Sequence, residues 1–182
     1  ETYTKYIDKA DRTCRTLFSD GACATLLSIS EHDILGPFEM GTDGKGFDSL
    51  IVYSSGARNT GTTQIKPRLF MDGAGVLMFS MGILPKCVDA LLNKSGKTVS
   101  DIDLFIFHQA SKLVMDNITR RLQLPEEKVF INYERVGNAV SASIPIALKD
   151  AVDANRLKKD DLVMLVGFGV GYSWGACLIR WE

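Results

Sequence analysis

One of the chain's two histidines, His108, stands directly behind the apolar run "DLFIF" at 103–107. A strand that ends in an imidazole places a proton donor and acceptor at its carboxyl end, where open α/β sheets bind their ligands. Two further segments fall at such ends. "ERVGNAVSASIP" sets Gly137 and Asn138 between an expected strand and an expected helix, and "GFGVGYSWG", Gly167 to Gly175, joins the last two apolar runs. A neutral imidazole and a carboxamide can both donate to one carbonyl oxygen, and glycine-rich backbone brings peptide N–H groups close to it. Such a set stabilises enolates and tetrahedral oxyanions, and it contains no attacking group.

Each segment also has a plainer reading. His108 suits a capping or core imidazole, and Gly137-Asn138 before an apolar helix is an ordinary turn and N-cap pair. "GFGVGY" resembles a dinucleotide loop only in its glycines, because it runs into a strand and not into the helix N-terminus such a loop needs. His32, in the polar "SEHD", reads as a solvated surface residue. Cys14, Cys23, Cys87 and Cys177 show no C-x-x-C spacing, which argues against zinc or a disulfide framework, and each reads as a small buried hydrophobe.

The elements that position these residues follow from periodicity. "TCRTLF" and "ACATLLSIS" predict two strands of a hairpin joined by "SDG", which needs a larger sheet to be stable. Residues 31–66 are rich in Gly, Ser, Thr and Asp and predict long loops with at most a short helix over 47–53. Beyond them the pattern predicts strands at 68–71, 104–107 and 128–131, each followed by a helix, at 74–93, 112–122 and 139–153. Two closing strands come from "LVMLVGF" and "SWGACLIRW". This succession is α/β: right-handed crossovers build a layered sheet, and the last hairpin makes it a five-stranded mixed sheet.

The totals agree with one globular core. The net charge is −1 and the basic residues are dispersed, so there is no footprint for nucleic acid or an anionic membrane. The longest apolar run, "GVLMFSMGILP", is too short to span a bilayer and is interrupted by Gly82 and Pro85. With no signal-like start, the expected location is cytoplasmic.

"DLFIFHQAS", "YERVGNAVSASIPIAL" and "GFGVGYSWGACLIRW" resemble the C-terminal half of β-ketoacyl-acyl carrier protein synthase III, a thiolase-like condensing enzyme, and "DRTCRTLFSDGACATLL" resembles the end of that family's N-terminal half. The resemblance implies a thiolase-like layered α/β/α fold. It divides the chain into the end of the N-terminal half (1–30), a loop-rich connection (31–66) and a C-terminal domain (67–182). It further implies a Cys, His and Asn triad, with His108 and Asn138 as two members. Phe168, Gly169, Val170 and Gly171 then form the glycine loop of the oxyanion hole, and Gln109, Ser111 and Lys112 are candidate contacts to carrier or substrate. Acyl carrier protein and a coenzyme A thioester are the implied partners, the assembly a homodimer, and no metal or other cofactor is required.

Val170 stands where the family commonly has a third glycine, Ser111 where Asn is usual, and Leu113 where an arginine often meets the carrier protein. These departures leave the acyl substrate open. No cysteine occupies the nucleophile's context, so the chain reads as a fragment of a longer enzyme. A non-catalytic scaffold subunit is the alternative. Plant-type polyketide synthases and hydroxymethylglutaryl synthases share the fold, but "HQAS" and "SASIP" resemble synthase III more closely.

Overall fold

The structure is a computed structural model that describes residues 1–53, 55 and 66–182. Its organising feature is a mixed sheet of four strands in the order β1, β6, β5, β4, not the five expected, because the strand at 69–71 joins a separate sheet, that at 128–131 is reduced to one bridge, and only β1 is added. Strand β4 (Leu104–Phe107) lies parallel to β5 (Leu162–Gly169). Strand β6 (Ser173–Arg180) runs antiparallel to both β5 and β1 (Leu35–Thr42). All four residues of β4 are buried although it is the last strand of the sheet, because helices cover both of its faces.

Alternation along the strands sorts side chains to two faces. Phe105, Phe107, Met164, Val166, Ala176 and Leu178 pack under helices α1 (Gly73–Ser95) and α2 (Lys112–Arg121). Leu104, Ile106 and Val163 meet Ala147 and Ala151 of α4 (Ser143–Asp153) on the opposite face. The result is the expected three-layer α/β/α arrangement. Helix α1 starts at Asp72, whose carboxylate accepts from the Gly75 N–H at 2.9 Å, and stops at Gly96 in the left-handed region at φ 64°. The helix expected over 74–93 runs without a break through Gly82 and Pro85. By length and mean hydropathy of 1.6 this helix is long and apolar enough to cross a membrane. Its Leu84, Cys87, Val88, Leu91 and Leu92 are buried in the core beneath the sheet.

Three expectations are corrected. The hairpin of 13–30 does not form. Asp11 accepts from the backbone N–H groups of Thr13 and Cys14 and starts a run of helical turns, so "TCRTLF" coils, and Leu26, Leu27 and Ile29 lie exposed without a strand partner. Only Phe18 makes a bridge, parallel to Asn138. Residues 31–66 are more than a connection. They supply β1, an edge strand that tolerates Pro37, and β2 (Leu50–Val52) where a helix was expected. Strand β2 pairs with β3 (Leu69–Met71) in a separate two-stranded sheet over Cys14, Phe18 and Leu69. The glycine- and threonine-rich text at 54 and 56–65, read as loop, lies outside the described residues.

The third correction is at 128–131, where the expected strand reduces to one bridge between Val129 and Phe105. The reason is Gln109. Its carboxamide donates to the carbonyls of Phe107 and Phe130 at 2.9 and 3.2 Å and accepts from the Asn132 N–H at 3.1 Å. A side chain takes the place of the next rung of the ladder. The short helix α3 (Tyr133–Val136) then carries the chain to Gly137.

Candidate functional site

The site is built where β4 and β5 end. The last hydrogen bond of that edge runs from the His108 N–H to the Val166 carbonyl at 2.8 Å, which holds the histidine at the rim of the sheet. Its ring faces a cavity of about 630 Å³. Ser111, Asn138, Val140, Phe168, Gly169 and Val170 line the same space. The structure therefore brings His108, Asn138 and three of the four glycine-loop residues together, whereas Gly171 is not among the lining residues.

His108 is fixed on two sides. Its Nδ1 lies 2.5 Å from the Ser143 hydroxyl at the start of α4, and the Phe168 ring meets the imidazole edge-on with centroids 5.2 Å apart. Burial depresses the pKa of the ring to about 4, against a smaller upward pull from the Val140 carbonyl, so the imidazole is neutral near neutral pH. A neutral ring is a hydrogen-bond donor through one nitrogen only.

Asn138 is positioned mainly by its backbone. Its N–H donates to the Leu17 carbonyl at 3.0 Å and its carbonyl accepts from the Ser19 N–H at 2.9 Å. The preceding Gly137 adopts φ 73° and ψ −167°, a conformation essentially confined to glycine, and a Cβ there would press on the Leu17 carbonyl and on Ser19 at 3.3 Å. The carboxamide donates to the Ala110 carbonyl at 3.2 Å and accepts from the Val140 N–H at 2.9 Å. Asn138 thus closes an Asx turn through Val140 and does not cap α4, which follows Ala142 with no side-chain cap, and the residue also lines the cavity.

The remaining candidates divide. Ser111 lines the cavity and caps α2 by accepting from the Val114 N–H. Lys112 points outward and pairs with Asp116 at 3.0 Å. Gln109, a candidate carrier or substrate contact, is instead fully buried in the backbone network described above, because only there are all its amide groups satisfied. His32 is exposed, as expected.

Cys14 and Cys87 are buried, and burial pushes each thiol up to about 11. Cys23 is exposed, against its expected burial, because the strand that would have covered it is absent. No cysteine lines the cavity among the described residues.

Sequence reasoning missed Ser143 and the Leu17–Ser19 clamp. Ser143 lay in the quoted "SASIP", but nothing in local spacing ties it to a histidine 35 residues away.

Comparison with known proteins follows the same lines. A family model described as 3-oxoacyl-(acyl-carrier-protein) synthase III C terminal matches residues 92–181, and one described as 3-oxoacyl-(acyl-carrier-protein) synthase III matches residues 1–44. The beta-ketoacyl-(acyl-carrier-protein) synthase III of Natranaerobius thermophilus is 39% identical over 197 aligned positions, covering 100% of this chain and 57% of its own. That of Synechocystis sp. is 37% identical with the same coverages. Among solved structures, the beta-ketoacyl-(acyl carrier protein) synthase III of Thermus thermophilus superimposes with a TM-score of 0.84 at 36% identity, over 98% of this chain and 56% of its own. A priming beta-ketosynthase of a polyketide biosynthetic pathway gives 0.85 at 30% identity, over 99% and 55%. The chain thus spans a little over half the length of the curated relatives it matches.

Proposed function

Because this chain belongs to the 3-oxoacyl-(acyl-carrier-protein) synthase III family, we propose that it carries the histidine and asparagine of a condensing site that joins an acyl thioester to malonyl-acyl carrier protein. The observation that carries this reading is the convergence of His108 and Asn138 on one cavity walled by Phe168 and Trp174.

In the proposed reaction the thioester carbonyl oxygen of the malonyl group accepts from the imidazole and the Asn138 carboxamide. The bond from the malonyl α-carbon to its carboxylate breaks, carbon dioxide leaves, and the electron pair is held as an enolate on that oxygen. The α-carbon then attacks the acyl-cysteine carbonyl. A carbon–carbon bond forms as the carbon–sulfur bond breaks, and the cysteine leaves as thiolate. Two fixed donors in a cavity walled by apolar side chains favour the enolate over the neutral thioester, each by about 10²- to 10³-fold in rate. Since no cysteine of this chain lines the cavity among the described residues, the nucleophile is assigned to residues outside these 182.

The partners in this reading are acyl carrier protein and a coenzyme A thioester, the assembly a homodimer in the cytoplasm, and the substrates themselves the only carriers of the chemistry. Ser111 at the cavity mouth and Lys112 on the outer face remain the candidate carrier contacts.

The test is release of carbon dioxide from malonyl-acyl carrier protein by the complete enzyme. Wild type should decarboxylate it, and His108→Ala and Asn138→Ala should each lower the rate by about 10²- to 10³-fold. Wild-type rates in both variants would leave a scaffold role in its place.

A further inference from the structure

Ser143 stands on the hidden side of the histidine. It is 1% exposed, opens α4, and its hydroxyl reaches His108 Nδ1 at 2.5 Å. Among the described residues it has no other hydrogen-bond partner. A hydroxyl this deeply buried must give its proton to an acceptor, since leaving it unpaired costs about 1–3 kcal/mol. Ring nitrogen Nδ1 is the acceptor within reach.

We propose that Ser143 is a positioning residue that donates to His108 Nδ1 and thereby holds the imidazole as its Nε2–H tautomer, with the proton directed to the substrate carbonyl. The inference rests on the reading of His108 as a hydrogen-bond donor in condensation.

Two observations support it. The ring is neutral near neutral pH because burial disfavours its charged form, so only one nitrogen can donate at a time and the tautomer decides whether the site works. Of the described residues lining the cavity only His108 and Tyr3 titrate, so among them no second charge selects the tautomer. The Val140 carbonyl also meets the ring and favours its protonated form, a smaller effect than burial.

The experiment uses the complete enzyme. Ser143→Ala should lower kcat for malonyl-thioester decarboxylation by about 10- to 100-fold, the scale found when a metal-bound histidine loses its outer hydrogen-bond partner. KM should stay unchanged, and Ser143→Thr, which keeps the hydroxyl, should restore most of the rate. Long-range proton–nitrogen NMR of the wild-type histidines should show His108 protonated at Nε2 and bare at Nδ1. A proton on Nδ1, or a Ser143→Ala enzyme with wild-type kcat, overturns the inference. If Ser143→Ala does not fold, the wild-type spectrum alone decides. His108→Ala separates the two levels. If it remains active, the condensing reading fails. If it is dead while Ser143→Ala is intact, only the role of Ser143 fails.

Discussion

Replacing His108 with Gln should flatten the acid side of the protein's stability curve. The ordinary imidazole pKa is 6.5, and burial in the folded state lowers it to about 4. Above the unfolded value both states are neutral and the histidine contributes no pH dependence. As pH falls below it, the unfolded chain takes up a proton that the folded ring refuses until the pH nears its own pKa, so stability is lost through that window. Between about pH 7 and about pH 4.5 the loss works out to about 2.5 kcal/mol, from a tenfold ratio per pKa unit. His32, the only other histidine, is exposed, and Asp11, Asp20 and Asp101 are held below the ordinary carboxylate value by hydrogen bonds, so they act at lower pH. Urea unfolding of wild type and His108→Gln at the two pH values is the assay. Wild type should lose about 2.5 kcal/mol more than the variant on acidification. Parallel losses would show that the ring is not desolvated.

Two further outcomes are expected. Gly137→Ala should destabilise the protein by about 2–3 kcal/mol, from a backbone conformation L-residues avoid and the squeeze on Leu17 and Ser19, and should depress decarboxylation more than acylation because Asn138 moves. Paired urea titrations and rates check this, and a variant as stable as wild type would contradict it. Thiol labelling of the folded chain near pH 8 should reach exposed Cys23 first and leave Cys14 and Cys87 unmodified, since burial raises both to about 11. Peptide mapping reads the order, and early labelling of Cys14 or Cys87 would contradict their burial.

Much of the framework was legible along the chain. The apolar runs of β4, β5 and β6 and the helical periods of α1, α2 and α4 are local patterns, and each formed close to where its period places it. The placing of the site was legible too, because His108, Asn138 and Phe168 to Val170 sit at strand ends and line one cavity. Edges and pairings were not. Strand β1 is half exposed and broken by Gly36 and Pro37, so its period is weak until β6 supplies a partner. "TCRTLF" has strand composition, yet Asp11 offers its backbone a nearer hydrogen-bond partner than any strand does. At 128–131 the buried side chain of Gln109 replaces the ladder that composition had promised.

Residue types and short periods thus determined which polar groups line the cavity and which elements carry them. Tertiary structure alone decided who holds those groups in place: Leu17 and Ser19 for Asn138, Phe168 and Ser143 for His108. The reason is physical. Periodicity reports which face of an element is buried, while a hydrogen bond across dozens of residues depends on loop closures and packing that leave no mark in the local order of the chain.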